Sequence, residues 1–229
     1  MRPPLMPVHR IPISGPFGST SGLMALPADR PRGAVLVLHS WWGVGDDVAA
    51  IVEDLGDAGF AALCADVLDG RQPETVEEAM TGIAGPPGFT DRMAIVQAGA
   101  GHLARAAGAP VTAAVGFSMG AAWAMWAALG GVPGVERAAC YYGGEDPPYP
   151  ATEAAFLFHV GGDDDYDPPI RMRALRRAVI AAGGRARVHV YQGCGHWFAE
   201  PARPEHDAGA AGRAWTRTLA FLDAADNDS

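Results

Sequence analysis

The chain has 229 residues, 49% hydrophobic and 19% charged, with a formal net charge of -9. This composition suits one globular domain with a full core, and the acidic balance argues against nucleic acid as a partner. All 17 basic residues are arginine, and three cysteines, Cys64, Cys140 and Cys194, are odd in number with no metal-like spacing, so a disulfide framework is not expected.

Met1 to Ser14 holds prolines and a histidine but no apolar stretch, and no run of the chain is long and apolar enough to span a bilayer. The expectation is a cytoplasmic protein with no membrane contact. Val8 to Ile13 and Leu23 to Leu26 flank a Gly/Ser/Thr turn and predict an N-terminal hairpin. Ala34 to His39 is a continuous apolar run, as a strand buried on both faces requires. A helix follows over Asp46 to Ala58, with Gly59 at its C-cap, then a strand over Phe60 to Ala65. Between Asp66 and Thr90 the pattern supports a short helix around Glu74 to Met80 and a loop at Gly85-Pro86-Pro87-Gly88. Asp91 to Ala107 reads as a helix opened by an aspartate cap.

Val111 to Val115 is a β-type run, and Ala121 to Leu129 is an Ala/Trp/Met-rich helical run. Between them lies Gly116-Phe117-Ser118-Met119-Gly120, a G-x-S-x-G string in the strand–turn–helix context of a nucleophile elbow. The glycines let strand and helix pass closely. The turn lifts the Ser118 hydroxyl and aims backbone N–H groups of the helix N-terminus at any oxyanion formed there. Further strands are expected at Ala138 to Tyr142, Ala155 to Val160 and Arg187 to Tyr191, with helices at Pro168 to Ala182 and Glu205 to Ala224. Alternating strands and helices predict an α/β fold, a mostly parallel sheet covered on both faces, in a single domain over residues 1–229 with a frayed tail from Asp223.

A serine hydroxyl needs a base, and the base needs an orienting acid. Both follow at strand C-termini, where open α/β sheets form their ligand crevice. Gly161-Gly162-Asp163-Asp164-Asp165-Tyr166-Asp167-Pro168 supplies the acid, and Gln192-Gly193-Cys194-Gly195-His196-Trp197-Phe198 the base. Ser118 is the candidate nucleophile and His196 the candidate base. Asp164 is the candidate acid from its spacing to Gly161 and Pro168, with Asp163 and Asp165 left open. The remaining aspartates are expected to cap the helix near Pro168. His39 reads as a hydrogen-bonded loop anchor, Trp123 and Trp126 as core, and Arg171, Arg173, Arg176 and Arg177 as a solvated helix face.

These pieces, with Leu36-Val37-Leu38-His39-Ser40-Trp41-Trp42-Gly43, Tyr141-Tyr142-Gly143, His159-Val160-Gly161-Gly162-Asp163-Asp164 and Gly195-His196-Trp197-Phe198, resemble the dienelactone hydrolase family of α/β-hydrolases. The resemblance implies hydrolysis of a small-molecule ester or lactone through an acyl-enzyme, without metal or cofactor. It implies an oxyanion hole from the N–H groups of Trp41 and Met119. Trp41, Trp42, Trp197 and Phe198 lie on the loops at these strand ends and, with Ser40 and Glu200, are expected to line the substrate pocket. It leaves the assembly as a monomer or small homo-oligomer. Three positions depart from the family's best-known members: Ser118 where they carry cysteine, Ser40 where they carry glutamate, and Glu200 where an arginine binds the substrate carboxylate. A non-catalytic binding protein that kept the fold is the rival expectation.

Overall fold

The structure is a computed structural model that describes residues 8–15, 18–86 and 88–223. The expected frayed tail beyond Asp223 and Pro87 of the expected loop lie outside the described residues. Two compact units form, one from residues up to Thr112 with Gly131–Gly134, the other from Ala113–Gly130 with Val135 onward.

In the first unit the strands are β1 (His9–Gly15), β2 (Gly18–Ala25), β3 (Ala34–Leu38) and β4 (Ala61–Ala65). β1 and β2 form the expected hairpin, β2 pairs antiparallel with β4, and β3 pairs parallel with β4. Every residue of β3 and β4 is buried, as their unbroken apolar sequences require. Helix α1 (Asp46–Asp57) buries Val48, Val52 and Leu55 on one stripe, and ends at Ala58 before left-handed Gly59 (φ 89°). Helix α2 (Val76–Ala84) begins two residues later than the sequence predicts and runs four further. Its start is set by a capping box, in which the Thr75 hydroxyl accepts from Glu78 N and the Glu78 carboxylate accepts from Thr75 N. Helix α3 (Phe89–Ala107) starts two residues before Asp91. Asp91 is therefore not the cap itself; from the first turn its carboxylate reaches back to Gly88 N at 3.2 Å.

Arg92 lies on α3 and is 4% exposed. Its guanidinium donates to the carbonyls of Gly82, Ile83 and Gly85 at 2.8–3.3 Å, closing off the negative end of α2. Burial, and the nearby Arg71, lower its pKa. His39 is buried, as a loop anchor should be. Its Nδ1 donates to Ser40 O at 2.7 Å while Nε2 accepts from Val67 N at 3.1 Å, and desolvation lowers its pKa.

The second unit carries four strands in spatial order, β5 (Val111–Phe117), β6 (Arg137–Tyr141), β7 (Ala155–Gly161) and β8 (Arg185–Tyr191), each paired parallel with the next. Parallel neighbours need crossovers: α4 (Met119–Trp126) joins β5 to β6 and α5 (Pro169–Ala181) joins β7 to β8, while residues 142–154 join β6 to β7 without a helix; α6 (Ala208–Asp223) packs on β6 and β7. Regular α-helix stops at Trp126, short of the predicted Leu129; Ala127–Gly131 continue as a π-helical turn in which Leu129 and Gly130 (φ 105°) leave helical geometry. Helix α6 starts at Ala208 rather than Glu205. Residues 197–207 make successive turns, and the Asp207 carboxylate accepts from Ala210 N at 2.7 Å.

Beneath α6 a buried polar chain crosses the core. Arg217 donates to Tyr191 Oη at 3.0 Å, so the phenol proton is left for His159 Nδ1 at 2.9 Å. His159 Nε2 then donates to Thr218 Oγ1 at 3.0 Å, which also meets Tyr141 Oη at 2.7 Å. The network assigns a neutral imidazole, and burial, with His189 and Arg217 close by, pushes the His159 pKa well below the ordinary histidine value. The unfolded chain protonates this group near pH 6.5 while the folded chain does not. Its stabilisation is therefore complete above about pH 6.5 and is lost as pH falls below it; His39 acts in the same direction. Urea unfolding should show stability, and with it the midpoint, dropping between pH 7.5 and 5.5, by about 1.4 kcal/mol in total for each histidine kept neutral. A midpoint constant over that range contradicts this assignment.

Candidate active site

The elbow forms where the sequence places it. Ser118 follows β5 and stands at the N-cap of α4 with φ 51° and ψ -115°, a geometry that costs a non-glycine residue about 1–3 kcal/mol. Its N–H donates to Tyr141 O at 2.9 Å, and its carbonyl accepts from Ala121 N at 2.9 Å, so the surrounding backbone holds the turn. Gly116 permits it: a Cβ there would lie 2.1 Å from Gly120 O. Met119 opens α4, so its N–H is among the first-turn amides with no acceptor inside the helix.

The two downstream loops meet at Gly161, the last residue of β7. A Cβ at Gly161 would lie 2.5 Å from Cys194 O and 2.6 Å from Gly195 O, and Asp163 N donates to Cys194 O at 3.0 Å. This close contact joins the Asp loop to the His loop. The Ser118 hydroxyl lies 2.8 Å from His196 Nε2. His196 Nδ1 lies 2.8 and 3.0 Å from the two Asp164 oxygens. Asp164 is 3% exposed, and its Oδ1 also accepts from Tyr166 N and Asp167 N at 2.9 and 2.8 Å. Asp163 and Asp165 are exposed. Burial and geometry thus separate three adjacent aspartates that spacing alone left open. Such an array, an alcohol on an imidazole backed by a carboxylate, can remove the hydroxyl proton as the oxygen attacks an acyl carbon.

Asp167 does not cap the following helix. It pairs with Arg171 one turn on, and burial raises its pKa while Arg171 opposes the rise. The α5 N-cap is Pro168, with no side-chain cap. Nor is Arg171 simply solvated: it also donates to Gly144 O at 3.1 Å and pairs with Asp146 at 2.9 Å, tying α5 to the loop after β6. Arg173, Arg176 and Arg177 do lie on an exposed face.

Aromatic rings enclose His196. Trp197 (φ 58°, 5% exposed) stands edge-on at 4.8 Å, Tyr166 lies at 4.9 Å and Tyr142 at 5.1 Å. Phe198 is fully buried against Tyr142 and Tyr191. Glu200 is 6% exposed, and its Oε1 accepts from Tyr142 Oη at 3.0 Å. Sequence reasoning assigned no role to Tyr142 or Tyr166; the available signal was their position on loops at the C-terminal ends of β6 and β7. Of the expected first-unit residues, Ser40, Trp41 and Trp42 follow β3. Trp42 N meets Ser40 Oγ at 3.4 Å, and the two indoles stand edge to face at 5.7 Å. The three cysteines are free and buried, and burial raises their pKa values. Among the described residues no group of three or more His, Cys, Asp or Glu converges as metal ligands, and no helix is long and apolar enough to cross a membrane.

Residues 20–225 match the dienelactone hydrolase family. A carboxymethylenebutenolidase of Pseudomonas putida is 29% identical over 219 residues, covering 90% of this chain and 92% of that one. Among solved structures, a dienelactone hydrolase-like promiscuous phosphotriesterase from metagenomic libraries superposes with a TM-score of 0.79 at 23% identity, covering 95% of this chain and 98% of the other. An esterase of Pyrobaculum calidifontis superposes at 0.68 and 16% identity, covering 95% and 87%. The fold is that of the α/β-hydrolases, a mostly parallel sheet with helices on its faces.

If Asp164 sets the imidazole tautomer, Asp164→Asn should abolish the low-field Nδ1–H proton resonance of His196, while Asp163→Asn and Asp165→Asn leave it in place. Proton NMR of the three variants decides between them, and loss of the signal in either of the latter two would move the role to that neighbour.

Proposed function

Because the chain belongs to the dienelactone hydrolase family, we propose that it hydrolyses small carboxylic esters or lactones through an acyl-enzyme on Ser118. The observation that carries this reading is the 2.8 Å approach of Ser118 Oγ to His196 Nε2, with Asp164 on the opposite ring nitrogen. Ser118 Oγ attacks the carbonyl carbon as His196 Nε2 takes its proton. The carbonyl π pair moves to oxygen, and the Met119 N–H receives that oxyanion. The tetrahedral adduct collapses, the C–O bond to the alcohol breaks, and the imidazolium returns its proton to the leaving oxygen. For a lactone the leaving alcohol stays attached to the acyl group. Water then repeats the cycle with His196 as base and frees the carboxylic acid. Asp164 holds Nδ1–H throughout, so that Nε2 faces the serine with its lone pair.

Substrate charge follows from Glu200. In the family's best-known members that position holds the arginine that binds a substrate carboxylate; here a buried acid occupies it. Where Glu200 faces the acyl pocket, two carboxylate charges about 5 Å apart repel by roughly 3 kcal/mol at an effective dielectric near 20, before screening. The favoured substrates are therefore neutral esters or lactones.

Two measurements test this reading. Ser118→Ala should keep the fold and lower kcat by about 10⁴–10⁶, as loss of an acyl-transfer serine does; turnover close to wild type would leave a binding protein or another nucleophile as the explanation. For a matched pair, a carboxylate-bearing lactone and its methyl ester, kcat/KM should favour the neutral ester. A preference for the free carboxylate overturns the assignment of Glu200.

A further inference from the structure

Tyr142 follows β6 directly and is fully buried with a left-handed backbone, φ 36°. A bulky residue rarely adopts that geometry, and it persists only where its surroundings over-determine it. Three contacts do so here. Tyr142 N donates to His159 O at 2.7 Å. The next residue, Gly143, lies so near the elbow that a Cβ on it would sit 2.4 Å from Ser118 O. The phenol hydroxyl reaches the Glu200 carboxylate at 3.0 Å. Between these anchors the Tyr142 ring rests on the imidazole of His196, 5.1 Å between centroids and tilted by 57°. Glu200 is fixed from its own side, its N–H donating to Trp197 O at 2.9 Å and its carbonyl accepting from Arg203 N at 3.0 Å. Trp197, adjacent to His196, is itself left-handed at φ 58°.

We infer that Tyr142 and Glu200 are a positioning pair for His196: the hydrogen bond between them fixes the phenol ring as one wall of the aromatic enclosure that keeps Nε2 in line with Ser118 Oγ. Asp164 meets the imidazole at Nδ1 and Ser118 meets it at Nε2. A ring held through its two nitrogens can still rock about the line joining them, and the Tyr142 ring, together with Trp197 and Tyr166, limits that rocking. The same bond clips the loop after β6, which abuts the nucleophile, to the loop that carries the base. It gives the acid at position 200 work to do in place of binding a carboxylate. The inference rests on His196 serving as the base, as proposed above.

The test is steady-state kinetics on a neutral ester together with the low-field His196 proton signal. Tyr142→Phe keeps the ring and removes the hydroxyl; it should lower kcat about tenfold with KM within about twofold, and broaden the proton signal. Glu200→Ala should reproduce that loss, and Glu200→Gln, which keeps an acceptor oxygen, should recover most of it. The double variant Tyr142→Phe/Glu200→Ala should be no slower than either single one, because both break one bond. If Tyr142→Phe fails to fold, the contrast of Glu200→Ala with Glu200→Gln decides the matter. Variants that lose thermal stability but keep kcat and a sharp signal, or losses that multiply in the double variant, overturn the inference. Ser118→Ala keeps the two failures apart, since an active Ser118→Ala protein refutes the serine mechanism, whereas an inactive one beside a fully active Tyr142→Phe refutes only the pair.

Discussion

The site depends on one strained residue. Ser118 stands at φ 51° and ψ -115° between β5 and α4, a conformation about 1–3 kcal/mol above relaxed backbone. Everything near it is arranged to hold that turn. Gly116 leaves room for the carbonyl of Gly120, and the Ser118 N–H is anchored on Tyr141 O. The Tyr141 side chain is in turn tied through Thr218 to the buried His159 chain under α6. Core packing and hydrogen bonds in the second unit thus stabilise a local geometry that would not persist alone. Two more left-handed bulky residues, Tyr142 and Trp197, flank His196. Strain is concentrated where an alcohol and an imidazole must meet at 2.8 Å.

The elbow was legible because its physics is local: two glycines and a serine between an apolar strand and a helix admit few alternatives. The order of serine, aspartate and histidine after three strand ends was legible from the loop sequences that follow those strands. Spacing favoured Asp164, but the reason it differs from Asp163 and Asp165 is tertiary. Only Asp164 is buried, with two backbone N–H donors on one oxygen and an imidazole bridging both. A row of aspartates looks alike until the chain has folded.

Element ends were less legible. Asp91 signals a helix start equally well as a cap or as a third residue that reaches back, and the structure takes the second option. Glu205 to Asp207 has helical composition but is wound into turns, so α6 waits for the Asp207 carboxylate. Gly130 ends an alanine-rich run that propensity alone would have extended. Arg171 looked like one of four solvated arginines, yet its ion pairs reach Asp167 and Asp146, the second 25 residues away. The pairing of Tyr142 with Glu200 spans 58 residues and has no local pattern to announce it.

Ser118 is the proposed carrier of the acyl group. The most direct test of this role is intact-protein mass spectrometry during turnover of a slowly deacylating neutral ester, followed by peptide mapping. One added acyl mass is expected, located on Ser118 and absent from Ser118→Ala. Turnover with no covalent adduct, or with an adduct on another residue, would contradict that role.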